Sequence, residues 1–524
     1  MVTSQRIAPW TADLGDGSYR NPVLFADWSD PDVVRVGDDY YLIASSFNRV
    51  PGLPVLHSTD LVNWRLIGHA LDRLKPEVFF ATPRAGCGVW APALRHHAGL
   101  FWICYPDPDH GIYVLTAEDP AGPWSEPRLV LPGRGLIDPC PLWDDDGNAY
   151  LVHGWARSRA GINNRLTAHR VTADLTPLDD GVVIIDGDQI PGCRTLEGPK
   201  WYRRDGWYWI FAPAGGVKDG WQFAFRSRDV FGPYEPRIVL AQGDTEINGP
   251  HQGAWVTAPD GQDWFVHFQD QAAYGRVVHL QPMHWRSDGW PVIGDDDGTG
   301  LGSPVTIHRK PAAGSPAAPP TSDAFPDGVP GPQWSWSANP DPSWLLDTRG
   351  TDGLRMACRP APWGDLRVLP NVLVQRLPAP RLRAETALRL AGPVGCRAGL
   401  AVLGSTYAWI GVEHRPGGPV LVCRFAETTE ATDEPTPELA VTERDVLEPL
   451  PVPTEAHVRL SVVVSDGAVA RFAADVDGTG WRELSPPFAA TPGGWVGATL
   501  ALFATGPAGF ADVDPFLVTG LEDR

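Results

Sequence analysis

A chain of 524 residues, 43% of them hydrophobic, has room for two to four domains at roughly 150 residues each. Its 63 acidic and 43 basic residues leave a net charge of −20. That balance argues against nucleic acid or an anionic membrane as partner, since both reward Lys and Arg, and favours a neutral substrate. The 23 tryptophans are mostly expected in packing, yet their number also suits stacking on sugar rings. Seven cysteines without any CxxC pair predict reduced thiols rather than disulfides or a zinc site. The N-terminal stretch has no apolar signal-peptide core, and no run of 18 apolar residues occurs. A cytoplasmic location without membrane association is therefore expected, or a secreted or periplasmic one if a leader has been removed.

In chain order, one pattern recurs five times: a polar or aromatic head residue, a β-rich stretch, a tight turn, then an aromatic-led apolar strand. The copies begin at Asp30 (DPDVVRVGDDYYLIA), Trp90 (WAPALRHHAGLFWICY), Asp138 (DPCPLWDDDGNAYLVHG), Glu197 (EGPKWYRRDGWYWIFA) and His251 (HQGAWVTAPDGQDWFVHF). Each copy reads as a hairpin, and the Asp-Gly turns at Asp205–Gly206 and Asp260–Gly261 are strong hairpin signals. A spacing of about 50–60 residues suits four short strands with loops, which is one propeller blade. The expectation is an all-β chain with a five-bladed β-propeller over 15–308.

A Pro/Ala-rich linker at 309–320 follows, without periodicity. Residues 321–524 contain further strand-like runs, such as YAWIGVEHR and HVRLSVVVSDGAVARFAADVDG, but no copy of the repeat. They predict a β-sandwich of jelly-roll type. Its role is open between a loop closing a pocket and a surface for homo-oligomer formation.

If the five copies surround one axis, their heads form a ring, and Asp30, Asp138 and Glu197 bring three carboxylic acids to one rim. Converging like charges cost free energy and push pKa values apart, which acid–base chemistry on a neutral bond requires. A protonated carboxyl and an ionised one flanking a glycosidic bond make a glycosidase, and a separation of roughly 6.5–9.5 Å leaves room for the water of an inverting reaction. Asp32 competes with Asp30, because a two-residue step along a strand keeps the same face. The Trp143–Gly147 run lacks calcium-loop spacing and reads as a hairpin turn. Non-catalytic sugar binding and a protein-interaction scaffold remain as other classes, though neither explains three convergent acids.

Several motifs, in order along the propeller, carry a resemblance: SDPDVVRVGDDYYLIASSF, GVWAPAL, DPCPLWDDDGNAYLVHG, TLEGPKWY, GPHQGAW and LQPMHW. Together they resemble family 43 glycoside hydrolases, specifically β-xylosidase/α-L-arabinofuranosidase members with a C-terminal concanavalin-like sandwich. The C-terminal match, through WSWSANPDPSWLL and GFADVDPF, is weaker. The resemblance implies Asp30 as general base, Glu197 as general acid, and Asp138 as the residue that orients that acid and raises its pKa. It implies that Arg276 contacts substrate and base, and it places His251 on the axis near a structural Ca²⁺ or a water cluster. Phe47 and Trp90 are candidate walls of the sugar pocket. No cofactor is expected for the chemistry, and the expected partner is a xylo- or arabino-oligosaccharide.

Overall fold

The computed structural model describes residues 8–348, 350, 352–428, 440–476 and 478–521. The first half of the chain forms five antiparallel four-stranded arrangements, each made from one continuous stretch of sequence. Their innermost strands are Asp32–Val36, Ala93–His97, Leu136–Trp143, Lys200–Arg204 and His251–Thr257. Each pairs with the following strand across a short turn, and the aromatic-led runs, such as Trp207–Ala214, are these second strands. The fourth blade is extended at its outer edge by Asp295–Asp296 and Gly302–Ser303. The result is a five-bladed propeller. Leu24 and Val278 exchange backbone hydrogen bonds, and Trp28 N–H donates to Arg276 C=O, joining the chain before the first blade to the fifth.

Blade packing is apolar and aromatic. Trp64, Trp201, Trp209 and Trp264 are essentially solvent-free, which accounts for much of the tryptophan content. Helix is minimal: among the described residues the one α-helix is Arg157–Ala160. None is long and apolar enough to cross a membrane. All seven cysteines are free thiols.

The Pro/Ala-rich stretch lies against the propeller. Lys310 Nζ contacts Asp13 Oδ2 at 2.6 Å, and Ala317 N–H donates to Asn63 Oδ1. Proline stiffens the segment, and these contacts fix its course along the first blade.

The second half forms two eight-stranded sheets packed face to face. Alternate residues of Leu382–Ala391 and Val458–Ser465 point inward, giving a core with Leu388, Leu400, Ile410, Val462 and Leu502. The same core takes in Phe25, Tyr274 and Val277 from the propeller beside Trp334 and Trp336. Tyr274 Oη donates to Pro380 C=O at 2.7 Å and accepts from Ala468 N–H at 2.9 Å. Val50 and Trp336 exchange two backbone hydrogen bonds. A seam built from shared apolar core and paired backbone holds loops of one domain in fixed positions over the other.

Candidate active site

All five repeat heads sit at the axial start of an inner strand, and all five line one cavity of about 90 Å³. Phe47, Arg276, Gln252 and Trp495 line it too. Local backbone geometry turns the heads inward. Asp30 (φ 55°), Asp138 (φ 56°) and Gln252 (φ 37°) occupy the left-handed region, costly for residues with a Cβ and concentrated at functional sites. Asp138 falls within a register shift between Ile137 and Cys140, and Gln252 within one between His251 and Gly253. Such bulges re-aim a side chain that regular pleating would direct elsewhere.

The left-handed turn at Asp30 also separates it from Asp32. Asp32 begins the regular strand facing away from the cavity, fully buried, with its Oδ2 2.8 Å from Arg95 Nη1 and 3.4 Å from Lys200 Nζ. Leu94 N–H donates to the same oxygen. Asp32 is therefore a structural ion cluster joining three blades, whereas Asp30 faces the cavity.

Three side chains donate to Asp30. Ser29 Oγ and Ser45 Oγ meet Oδ2 at 2.9 and 2.5 Å, and Arg276 Nη1 meets Oδ1 at 2.9 Å. Arg276 also donates to Ser29 Oγ. Burial opposes the charge of this guanidinium, but the surrounding carboxylates, Asp30 first with Asp270, Asp27 and Glu197, together outweigh it and hold Arg276 above its ordinary pKa.

Asp138 and Glu197 form the other acidic side. Asp138 is buried and accepts from Gly198 N–H at 2.8 Å, while the Glu197 side chain stays 24% exposed toward the cavity. Burial, with the Glu197 charge beside it, pushes Asp138 up to about 8. Asp138 therefore keeps its proton at neutral pH beside the Glu197 carboxylate.

His251 is buried, with Nε2 3.3 Å from Glu197 Oε1 but no aligned hydrogen bond at either ring nitrogen. This does not fit the calcium expectation. Ca²⁺ takes six to eight oxygen ligands, and here one imidazole faces a single carboxylate. Among the described residues no group of three or more His, Cys, Asp or Glu is arranged to hold a metal ion. The unpaired Nε2 of Gln252, in the same cavity, is a donor free to meet a polar ligand.

The walls are aromatic. Phe47 and Val89 pair through the backbone, with Phe47 and Trp90 ring centroids 6.2 Å apart. A Cβ at Gly88 would lie 2.3 Å from Phe47 O, so glycine is required where the two loops meet. Trp90 Nε1 donates to Gly86 C=O, and the Arg159 guanidinium lies 5.4 Å from its ring.

A third aromatic wall residue, Trp495, comes from the sandwich and was not singled out in the sequence. Its ring is 6.0 Å from Trp90 and 5.9 Å from the Arg276 guanidinium, and the side chain is half exposed in the cavity mouth. The loop bearing it is pinned to the propeller. Gly497 N–H donates to Asp27 Oδ2 at 2.9 Å, and Ala498 N–H to Ala273 C=O at 2.7 Å. Asp27 Oδ1 accepts from Arg276 N–H at 3.0 Å, so one carboxylate ties the tryptophan loop to the strand carrying Arg276. The available signal was an aromatic set among turn glycines, PGGWVG, with no strand alternation to bury it.

Comparison with known proteins agrees with this architecture. The model for glycosyl hydrolases family 43 matches residues 19–291, and that for the β-xylosidase C-terminal concanavalin A-like domain matches residues 322–519. A β-xylosidase of Formosa agariphila is 32% identical over 98% of this chain and 92% of its own. A non-reducing end α-L-arabinofuranosidase of Bacteroides ovatus is 31% identical over 67% of each. In fold, the crystal structure of a xylan β-1,4-xylosidase from Bacillus halodurans superposes with a TM-score of 0.83 at 23% identity, covering 95% of this chain and 99% of that one. An acid-lined propeller cavity capped by a matching sandwich, in a chain matched along both halves, has one home: this protein belongs to family 43 of the glycoside hydrolases.

Proposed function

We propose that this glycosidase removes single pentoses, chiefly β-1,4-linked xylose, from the non-reducing ends of xylan-derived oligosaccharides, with inversion at the anomeric carbon. The observation that carries the proposal is the meeting in one aromatic-walled cavity of a carboxylate held by three donors, Asp30, and a proton-retaining pair, Asp138–Glu197. In this reading Asp30 accepts a proton from the water that attacks the anomeric carbon. Glu197, the more accessible of the pair, delivers its proton to the departing oxygen, and Asp138 keeps that proton available. Arg276 holds Asp30 in place, and Phe47, Trp90 and Trp495 pack against the sugar faces. A small cavity walled by three neighbouring aromatic rings suits a single terminal residue, hence exo action. No step needs a metal.

A second activity, on α-L-arabinofuranosides, is supported by the Bacteroides ovatus relative, since the two pentoses offer similar hydroxyl patterns. Nitrophenyl β-xyloside and nitrophenyl α-L-arabinofuranoside separate the readings: faster release from the xyloside is expected, and release from neither would remove both. NMR of the first-formed sugar is expected to show the inverted anomer. A retained one would make a carboxylate the nucleophile instead.

A further inference from the structure

Behind the Phe47 wall, along the domain seam, lies a second cavity of about 30 Å³ with a different character. Arg49 and the Ser46 hydroxyl face it from the propeller, and Arg376, Gln375 and Ser335 from the sandwich. Neither guanidinium forms an ion pair with a carboxylate among the described residues. Arg49 Nη1 donates to Ser337 Oγ at 2.7 Å and Arg376 Nε to the backbone C=O of Asp27 at 2.6 Å, and no other hydrogen bond holds either side chain among the described residues. Gln375 is 4% exposed, and its Nε2 has no acceptor at all.

One carboxylate, Asp27, lines this cavity, but both its oxygens already accept backbone N–H groups, from Arg276 and Gly497. Two partly buried positive charges therefore face one negative charge, leaving a surplus of one. Burial depresses both arginines to about 10, with Asp27 only partly offsetting it. Charge withdrawn even partly from solvent is costly unless paired, and water can complete hydrogen bonds but cannot cancel charge.

We propose that this seam cavity is a binding site for one small monovalent anion of halide size, held by Arg49, Arg376 and the Gln375 amide. The ion would bridge the two domains beside the catalytic cavity. Phe47 lies two residues from Arg49, and Val496, which also lines the seam cavity, adjoins Trp495. Occupancy would thus steady both aromatic walls.

The test uses the full chain in gluconate, an anion too large for the space, with sodium bromide titrated in at constant ionic strength. A saturable rise in Tm of about 2 °C is expected, and a bromide anomalous peak between the two guanidinium groups in crystals. Gln375→Glu, which supplies a tethered carboxylate, is expected to keep the fold and lose the bromide response. Absence of the anomalous peak would overturn the proposal, as would a bromide response of full size in Gln375→Glu. None of these readouts depends on turnover, so they stand apart from the substrate assignment.

Discussion

The propeller and the sandwich meet at one cavity but reach it by different routes. The propeller delivers its residues by symmetry: five copies of one hairpin place five heads at equivalent positions around an axis. The sandwich delivers Trp495 by docking, through a loop whose position depends on Asp27, Ala273 and the shared core around Tyr274. The first route leaves a periodic trace in the sequence. The second leaves almost none.

The largest effects should come from the symmetric side. Asp30→Ala and Glu197→Ala are each expected to lower kcat by about 10²–10⁴-fold on nitrophenyl β-xyloside, with the fold intact by circular dichroism. Near-normal turnover in either would remove that residue from its role. Asp32→Ala, two positions away, is expected to act on stability instead. It strands Arg95 and Lys200 in a buried cluster, so unfolding free energy should fall by about 3–5 kcal/mol in urea.

That pair also marks what sequence could resolve. The blades, their hairpins and the ring of heads follow from repetition and turn chemistry, and Phe47 and Arg276 from motif. Alternation along a strand could not separate Asp30 from Asp32, because it assumes regular pleating. The left-handed backbone at Asp30 breaks that assumption, and three-dimensional context sets it. The bulge that turns Asp138 inward was equally hidden. The Pro/Ala stretch reads as a free linker by composition, yet Lys310 and Ala317 anchor it through partners about 300 and 250 residues distant. The carboxylate that holds the Trp495 loop, Asp27, lies 470 residues from Gly497, a separation no local pattern spans.

A pH profile tests the acidic pair. With Asp138 raised to about 8 by burial and by Glu197, kcat should fall as pH rises through about 8, where the pair loses its proton. The same sign applies to stability. A carboxyl whose folded pKa is raised contributes most at low pH, and the contribution is lost as pH rises through about 8. Asp138→Asn removes the like charge that keeps the proton on the pair. The alkaline limb of kcat should then move to lower pH, by about one unit for a 1.4 kcal/mol interaction. An unmoved limb would assign the proton to a different group.

The smallest expected effect probes docking directly, and it has an internal control within the sandwich. Trp495 and Trp363 are both exposed tryptophans with left-handed backbone (φ 67° and 53°), on the same domain. Trp363 is 92% exposed and does not line the cavity, whereas Trp495 lines it in contact with Trp90. Losing one aromatic wall removes apolar contact with the sugar in ground and transition states alike. Trp495→Ala should therefore raise KM by about tenfold, or 1.4 kcal/mol, with kcat changed much less. Trp363→Ala should leave both constants unchanged. Equal effects from the two substitutions would mean the sandwich acts through general stability. A KM effect confined to Trp495 would mean that a domain with none of the cavity carboxyls still helps hold the substrate.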